Sequence, residues 1–138
     1  MCLERITNEN PVKTGIGYKV FKYRKICDYG SLIEEYLEAP CWPDNGDKFN
    51  LCTFYRDKNY FSILTNDDSC YGTGYHIFKN KEDACLYSCG EARLHIYKVY
   101  YDDAVVEGRQ EVWKRAINDF YYADCVVAKQ ITLLERVA

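Results

Sequence analysis

Apolar and polar residues alternate from Ile16 to Lys25, with Ile16, Tyr18 and Val20 on one side and Lys19, Phe21, Tyr23 and Lys25 on the other. That two-residue period predicts a strand. The spacing changes over 31–38, where Leu32, Ile33, Tyr36 and Leu37 fall at helical intervals above Glu34, Glu35 and Glu38, behind a capping Ser31. A short amphipathic helix is predicted there, ended by Ala39-Pro40-Cys41-Trp42-Pro43-Asp44-Asn45-Gly46. Leu51–Tyr55 and Tyr60–Leu64 are β-rich runs around polar Arg56-Asp57-Lys58-Asn59, which reads as a hairpin or two short neighbouring strands. Asn66–Gly74 is a polar, glycine-bearing turn.

Asn80 as N-cap, Ala84 and Tyr87 facing inward, and Gly90 as C-cap predict a second helix over 80–89. Arg93–Tyr101 alternates as the clearest strand, and Cys125–Leu134 reads as a buried one. Between them, Glu107-Gly108 interrupts a run that starts at Ala104. Val112, Trp113, Ala116, Ile117 and Phe120 then lie at near-helical spacing, so Gln110–Phe120 reads as a helix or an ordered loop. Residues 1–15 carry Asn10-Pro11 without a period and read as an irregular lead-in. The expectation is one compact α+β domain over 1–138, with a mainly antiparallel sheet and two or three short helices.

Composition narrows function more than it names it. The 138 residues are 48% hydrophobic and 28% charged, which excludes a disordered or collagenous chain. Eighteen Lys+Arg against 21 Asp+Glu leave a net charge of −3, so no whole-molecule field recruits DNA or an anionic membrane, and any nucleic-acid contact is local. Eight scattered cysteines, an N-terminus without an apolar signal core and no long apolar run point to reduced thiols, a cytoplasmic setting and no membrane partner. No C-x-x-C pair occurs. His76, Cys85, Cys89 and His95 match no standard zinc spacing, so no metal and no cofactor are expected.

The sequence holds no phosphate-loop, dinucleotide-binding, zincin, nucleophile-elbow or calcium-loop motif. Gly72-Thr73-Gly74-Tyr75-His76 offers turn amides, a ring and an imidazole that suit a phosphate, against the plainer role of turning the chain into a strand at a sheet edge. The face bearing Lys19, Phe21, Tyr23 and Lys25 suits nucleotide stacking, against the plainer reading of a half-buried strand with snorkelling lysines. Fourteen tyrosines suit a recognition surface, and the adjacent pairs Tyr100-Tyr101 and Tyr121-Tyr122 each place one ring outward in a strand.

The opening Met1-Cys2-Leu3, then Tyr18-Lys19-Val20-Phe21, Gly74-Tyr75-His76-Ile77-Phe78 with its following helix, Tyr97-Lys98-Val99, Glu107-Gly108 and Val126-Val127-Ala128-Lys129 resemble a group of small phage and prophage proteins. The resemblance covers about four-fifths of the chain as a strand-and-helix pattern without catalytic residues, and 40–70 and 109–124 have no counterpart in it. It implies expression in a bacterial host cytosol and action by stoichiometric binding.

The leading expectation is therefore a non-enzymatic counter-defence protein, oligomeric, that inhibits a host defence protein or sequesters a nucleotide second messenger. Tyr23, Arg24, Tyr75, His76, Arg93 and Arg109 are the candidate ligand-binding residues, because such a site pairs anions with guanidinium groups and stacks bases on rings. Two alternatives stand beside it. One is a small nucleotide-directed transferase or hydrolase using His76 as acid or base; the other is a single-stranded RNA binder using the Lys19–Lys25 strand.

Overall fold

The computed structural model describes residues 3–38, 48–58, 60–89 and 91–138, with Arg115 described by its backbone alone. The described elements are β1 (Arg5–Asn8), β2 (Gly15–Asp28), β3 (Ser31–Glu38), β4 (Phe54–Arg56), β5 (Ser62–Leu64), β6 (Cys70–Gly72), β7 (Tyr75–Phe78), α1 (Lys81–Ser88), β8 (Leu94–Lys114) and β9 (Asp119–Arg136). A single helix against nine strands makes this a mainly antiparallel β protein, not the α+β domain with several helices that the spacing suggested. The prolines and Asn-Gly of 39–46 and the cap at Gly90 lie outside the described residues.

Each departure has a local cause. Segment 31–38 is a strand because Tyr29 and Gly30 both adopt positive φ, 48° and 79°, and Asp28 stands opposite Ser31 across them. That two-residue turn carries the twist that continues one strand into an antiparallel partner. The glutamates then find cross-strand partners, with Arg24 Nε 2.5 Å from Glu38 and the Tyr23 hydroxyl donating to Glu35. Gln110–Phe120 likewise forms the end of a hairpin, closed by a 3₁₀ turn at Arg115–Ile117 and by Asn118 at φ 49°. The lead-in contains β1, which pairs with β8. Runs 51–55 and 60–64 do not pair with each other: β4 joins β9, and β5 joins β6.

The main sheet closes on itself. β2 pairs with β8, β8 with β9, β9 with β7, and β7 returns to β2 at the single register pair Tyr18–Phe78. Phe21, Ile77, Val99 and Leu133 fill the inner side. Phe78, Ala84, Ile96 and Cys125 fill the other side, under α1. Gly17 sits at the closing seam, where an added Cβ would lie 2.4 Å from Ile77 Cγ2 and 2.9 Å from the Phe78 carbonyl. Overpacking of this kind costs about 1–3 kcal/mol. Gly17→Ala is expected to lower unfolding free energy by that amount, measured by chemical denaturation, and unchanged stability would contradict the closed seam.

Gly108 does not interrupt β8. It is where β1 crosses, since a Cβ there would meet the Arg5 carbonyl at 2.4 Å and Leu3 Cδ1 at 2.6 Å. Beyond Arg109 and Asp124, no third strand joins β8 and β9 among the described residues, so 110–123 is a two-stranded arm.

Candidate functional site

The six residues singled out by sequence fall in three places. Tyr23, Arg24 and Arg93 are neighbours: the Tyr23 amide donates to the Arg93 carbonyl at 2.6 Å, and Arg24 is paired with Glu38. The Tyr23 ring stacks on His95 at 4.7 Å and 11°, so the β2 face read as a nucleotide platform is used internally. The hydrogen bond to Glu35 chiefly holds the Tyr23 phenol above its ordinary pKa. Lys19, on the same side of β2, is buried rather than snorkelling. Its ammonium donates to the His76 carbonyl at 3.2 Å and lies 5.7 Å from the Phe21 and Tyr75 rings.

Tyr75 and His76 form the second place, inside the sheet and not at its edge, because β7 lies between β2 and β9. Both are buried, at 8% and 4% exposed. Tyr71 Oη accepts the Leu3 amide at 2.9 Å and lies 2.9 Å from His76 Nε2. The Gly74 carbonyl accepts from the imidazole, which puts the neutral ring's proton on the other nitrogen, Nδ1, and leaves Nε2 to accept from the Tyr71 hydroxyl. Burial foremost, then the Lys19 charge, pushes His76 down to about 3. A buried imidazole, neutral at every physiological pH, is a relay that ties the segment before β1 to β6 and β7.

The remaining titratable groups tell a similar story. Burial holds the Cys125 thiol well above its ordinary value, and His95, lowered mainly by burial, is engaged in its stack. Among the described residues no three His, Cys, Asp or Glu side chains gather to hold a metal ion. No helix of the described residues is long and apolar enough to cross a membrane.

The third place is the arm carrying Arg109. One of its faces packs with α1: Val112, Ala123 and Cys125 are buried in the same cluster as Ala84. The opposite face is bare. Trp113 and Phe120 stand opposite each other at the tip with rings 5.3 Å apart, followed by Glu111 opposite Tyr122 and Arg109 opposite Asp124. Trp113, Phe120 and Tyr122 are 40%, 49% and 51% exposed, although a sheet face of this width is normally covered. The Tyr122 hydroxyl donates to Glu111 at 3.2 Å, and Arg109 Nε lies 3.6 Å from Asp124. Where the arm meets β1, a groove of about 350 Å³ is lined by Glu4, Arg5, Asn66, Asp67, Arg109 and Tyr122.

Sequence reasoning found Arg109 and the outward member of the Tyr121-Tyr122 pair. It missed Trp113 and Phe120, whose near-helical spacing read as a helix or an ordered loop, and Arg5, which lay in a segment read as irregular. The one usable signal was the polar Asn118-Asp119 between two apolar runs, which suits a hairpin turn. Compared with family models, curated proteins and solved structures, the chain matches none.

Proposed function

We propose that this chain is a non-enzymatic accessory protein of phage type that works by stoichiometric binding of another protein, in a counter-defence role, through the bare face of the β8–β9 arm. The observation that carries this reading is an exposed Trp113, Phe120, Tyr122 and Arg109 on one face of an arm whose other face is already packed. Trp, Tyr and Arg are the side chains in which interface binding energy concentrates, and aromatic side chains bring large contact area at little rotamer cost. The resemblance to small phage proteins supplies the counter-defence setting.

The other readings lose their chemistry. A nucleotide sponge needs cations and rings that converge, whereas the six candidates occupy three separate places, and Arg24 is already hydrogen-bonded to the Glu38 carboxylate. A transferase or hydrolase relying on His76 needs an accessible imidazole near neutrality, and this one is buried and lowered to about 3. An RNA platform on the Lys19–Lys25 strand loses three of its four proposed residues, since Lys19 and Phe21 are buried and Tyr23 stacks on His95, which leaves Lys25 exposed.

Native mass spectrometry of the protein purified from bacterial cells tests the reading. A one-to-one complex with a host protein is expected. A nucleotide-sized mass retained on a homo-oligomer would overturn it in favour of the sponge.

A further inference from the structure

We infer that Arg5 and Arg109 form a two-guanidinium clamp for an oxyanion, a phosphate or a carboxylate, in the groove at the base of the arm. This goes beyond the protein-binding reading and does not depend on it. The two arginines are register partners in the β1–β8 ladder, so their side chains leave the same face from neighbouring positions, and both line the same groove. Like charges placed directly opposite each other destabilise a sheet unless something neutralises them. Asp124 does so only in part. It stands opposite Arg109 on the far side and meets one guanidinium nitrogen at 3.6 Å, a distance beyond hydrogen bonding.

Arg5 does not take part in the ion pairs Arg24–Glu38, Lys48–Glu34, Arg56–Asp103, Lys79–Glu107 and Arg109–Asp124. The groove's own acids are turned to other donors: Glu4 accepts from the Asn66 amide, and Asp67 accepts from the Thr65 hydroxyl and from the Ser69 amide at 3.3 Å. Two guanidinium forks and an exposed tyrosine are left facing the groove, and guanidinium forks match the paired oxygens of phosphate and carboxylate. Glu4 and Asp67 also line the groove, and their charge opposes a ligand with charge spread along its length and favours one with a single compact anionic group.

Thermal unfolding of the whole chain in sodium phosphate, sodium acetate and sodium chloride at equal ionic strength tests the clamp, alongside Arg5→Gln and Arg109→Gln. Phosphate stabilises proteins generally by exclusion from their surface, so the variants carry the decision. At an anion concentration about ten times Kd, the wild type is expected to gain about 2–5 °C more from phosphate or acetate, relative to chloride, than either variant does. A larger wild-type-minus-variant difference in phosphate would assign a phosphoryl ligand, and a larger one in acetate a carboxylate. Equal increments in wild type and variants, or no increment over chloride, would overturn the proposal.

Discussion

Replacing Trp113 and Phe120 together by alanine is expected to weaken partner binding by at least about 100-fold while leaving the fold intact. Buried aromatic anchors at interfaces cost about 2 kcal/mol or more each on truncation, and each 1.4 kcal/mol is a factor of ten in affinity. Both rings are about half exposed in the free protein, so little core is lost. The stability cost is the edge-to-face contact between them at 5.3 Å, about 0.5–1.5 kcal/mol. The signature is a large affinity loss with a small change in denaturation midpoint. A matching loss on both axes would mean that the arm face is structural.

The second large effect concerns pH. The unfolded chain takes up a proton at His76 near the ordinary value of 6.5, whereas the folded chain resists it until about 3. Between those values the unfolded state binds more protons, so His76 lowers stability as pH falls through 6.5 towards 3, and its slope fades within about one pH unit above 6.5. At about 1.4 kcal/mol per unit, going from pH 6.5 to pH 4 removes about 3 kcal/mol through this one residue. In His76→Gln, which keeps a neutral polar side chain, that part of the acid sensitivity should vanish, leaving only the carboxylate contribution at lower pH. Denaturation of both proteins from pH 7 to pH 4 measures the difference. An NMR titration placing His76 near 6 would show an accessible imidazole and reopen an acid–base role.

The parts of the fold legible in the sequence are those where one period dominates. β2 alternates over ten residues, and α1 has its N-cap Asn80 followed by acidic residues in the first turn. The buried run 125–134 falls inside the 18-residue β9, which begins six residues earlier at Asp119 and ends at Arg136. Segment 31–38 was ambiguous because apolar residues spaced for one helix face also alternate well enough for a half-exposed strand. The two-residue turn at Tyr29-Gly30 decided it, together with β2, whose extension supplies a hydrogen-bonding partner. Tertiary pairing overrides weak local preference in such cases.

The proposed binding surface was less legible, because it depends on register. Arg109 stood out as a cation beside a glycine, but its partners are set by which residues of β1 and β9 stand opposite it, and those lie more than 100 positions and 15 positions away. His76 looked chemical in sequence because histidine near glycines suits a phosphate site. Burial by Tyr71, Leu3 and the neighbouring strands converts it into a structural relay. Trp113 and Phe120 read by their near-helical spacing as part of a helix or an ordered loop, whereas the hairpin sets them opposite each other on an exposed face of the arm.

The most direct test of the central claim is quantitative affinity capture from bacterial cells with three baits: the wild type, Trp113→Ala/Phe120→Ala, and Leu32→Ser/Ile33→Ser as an exposed apolar control on β3. The account predicts one host protein recovered in stoichiometric amount by the wild type and the β3 control, and depleted at least about 100-fold on the arm variant. Equal recovery by all three baits, or loss confined to the β3 variant, would contradict binding through the arm.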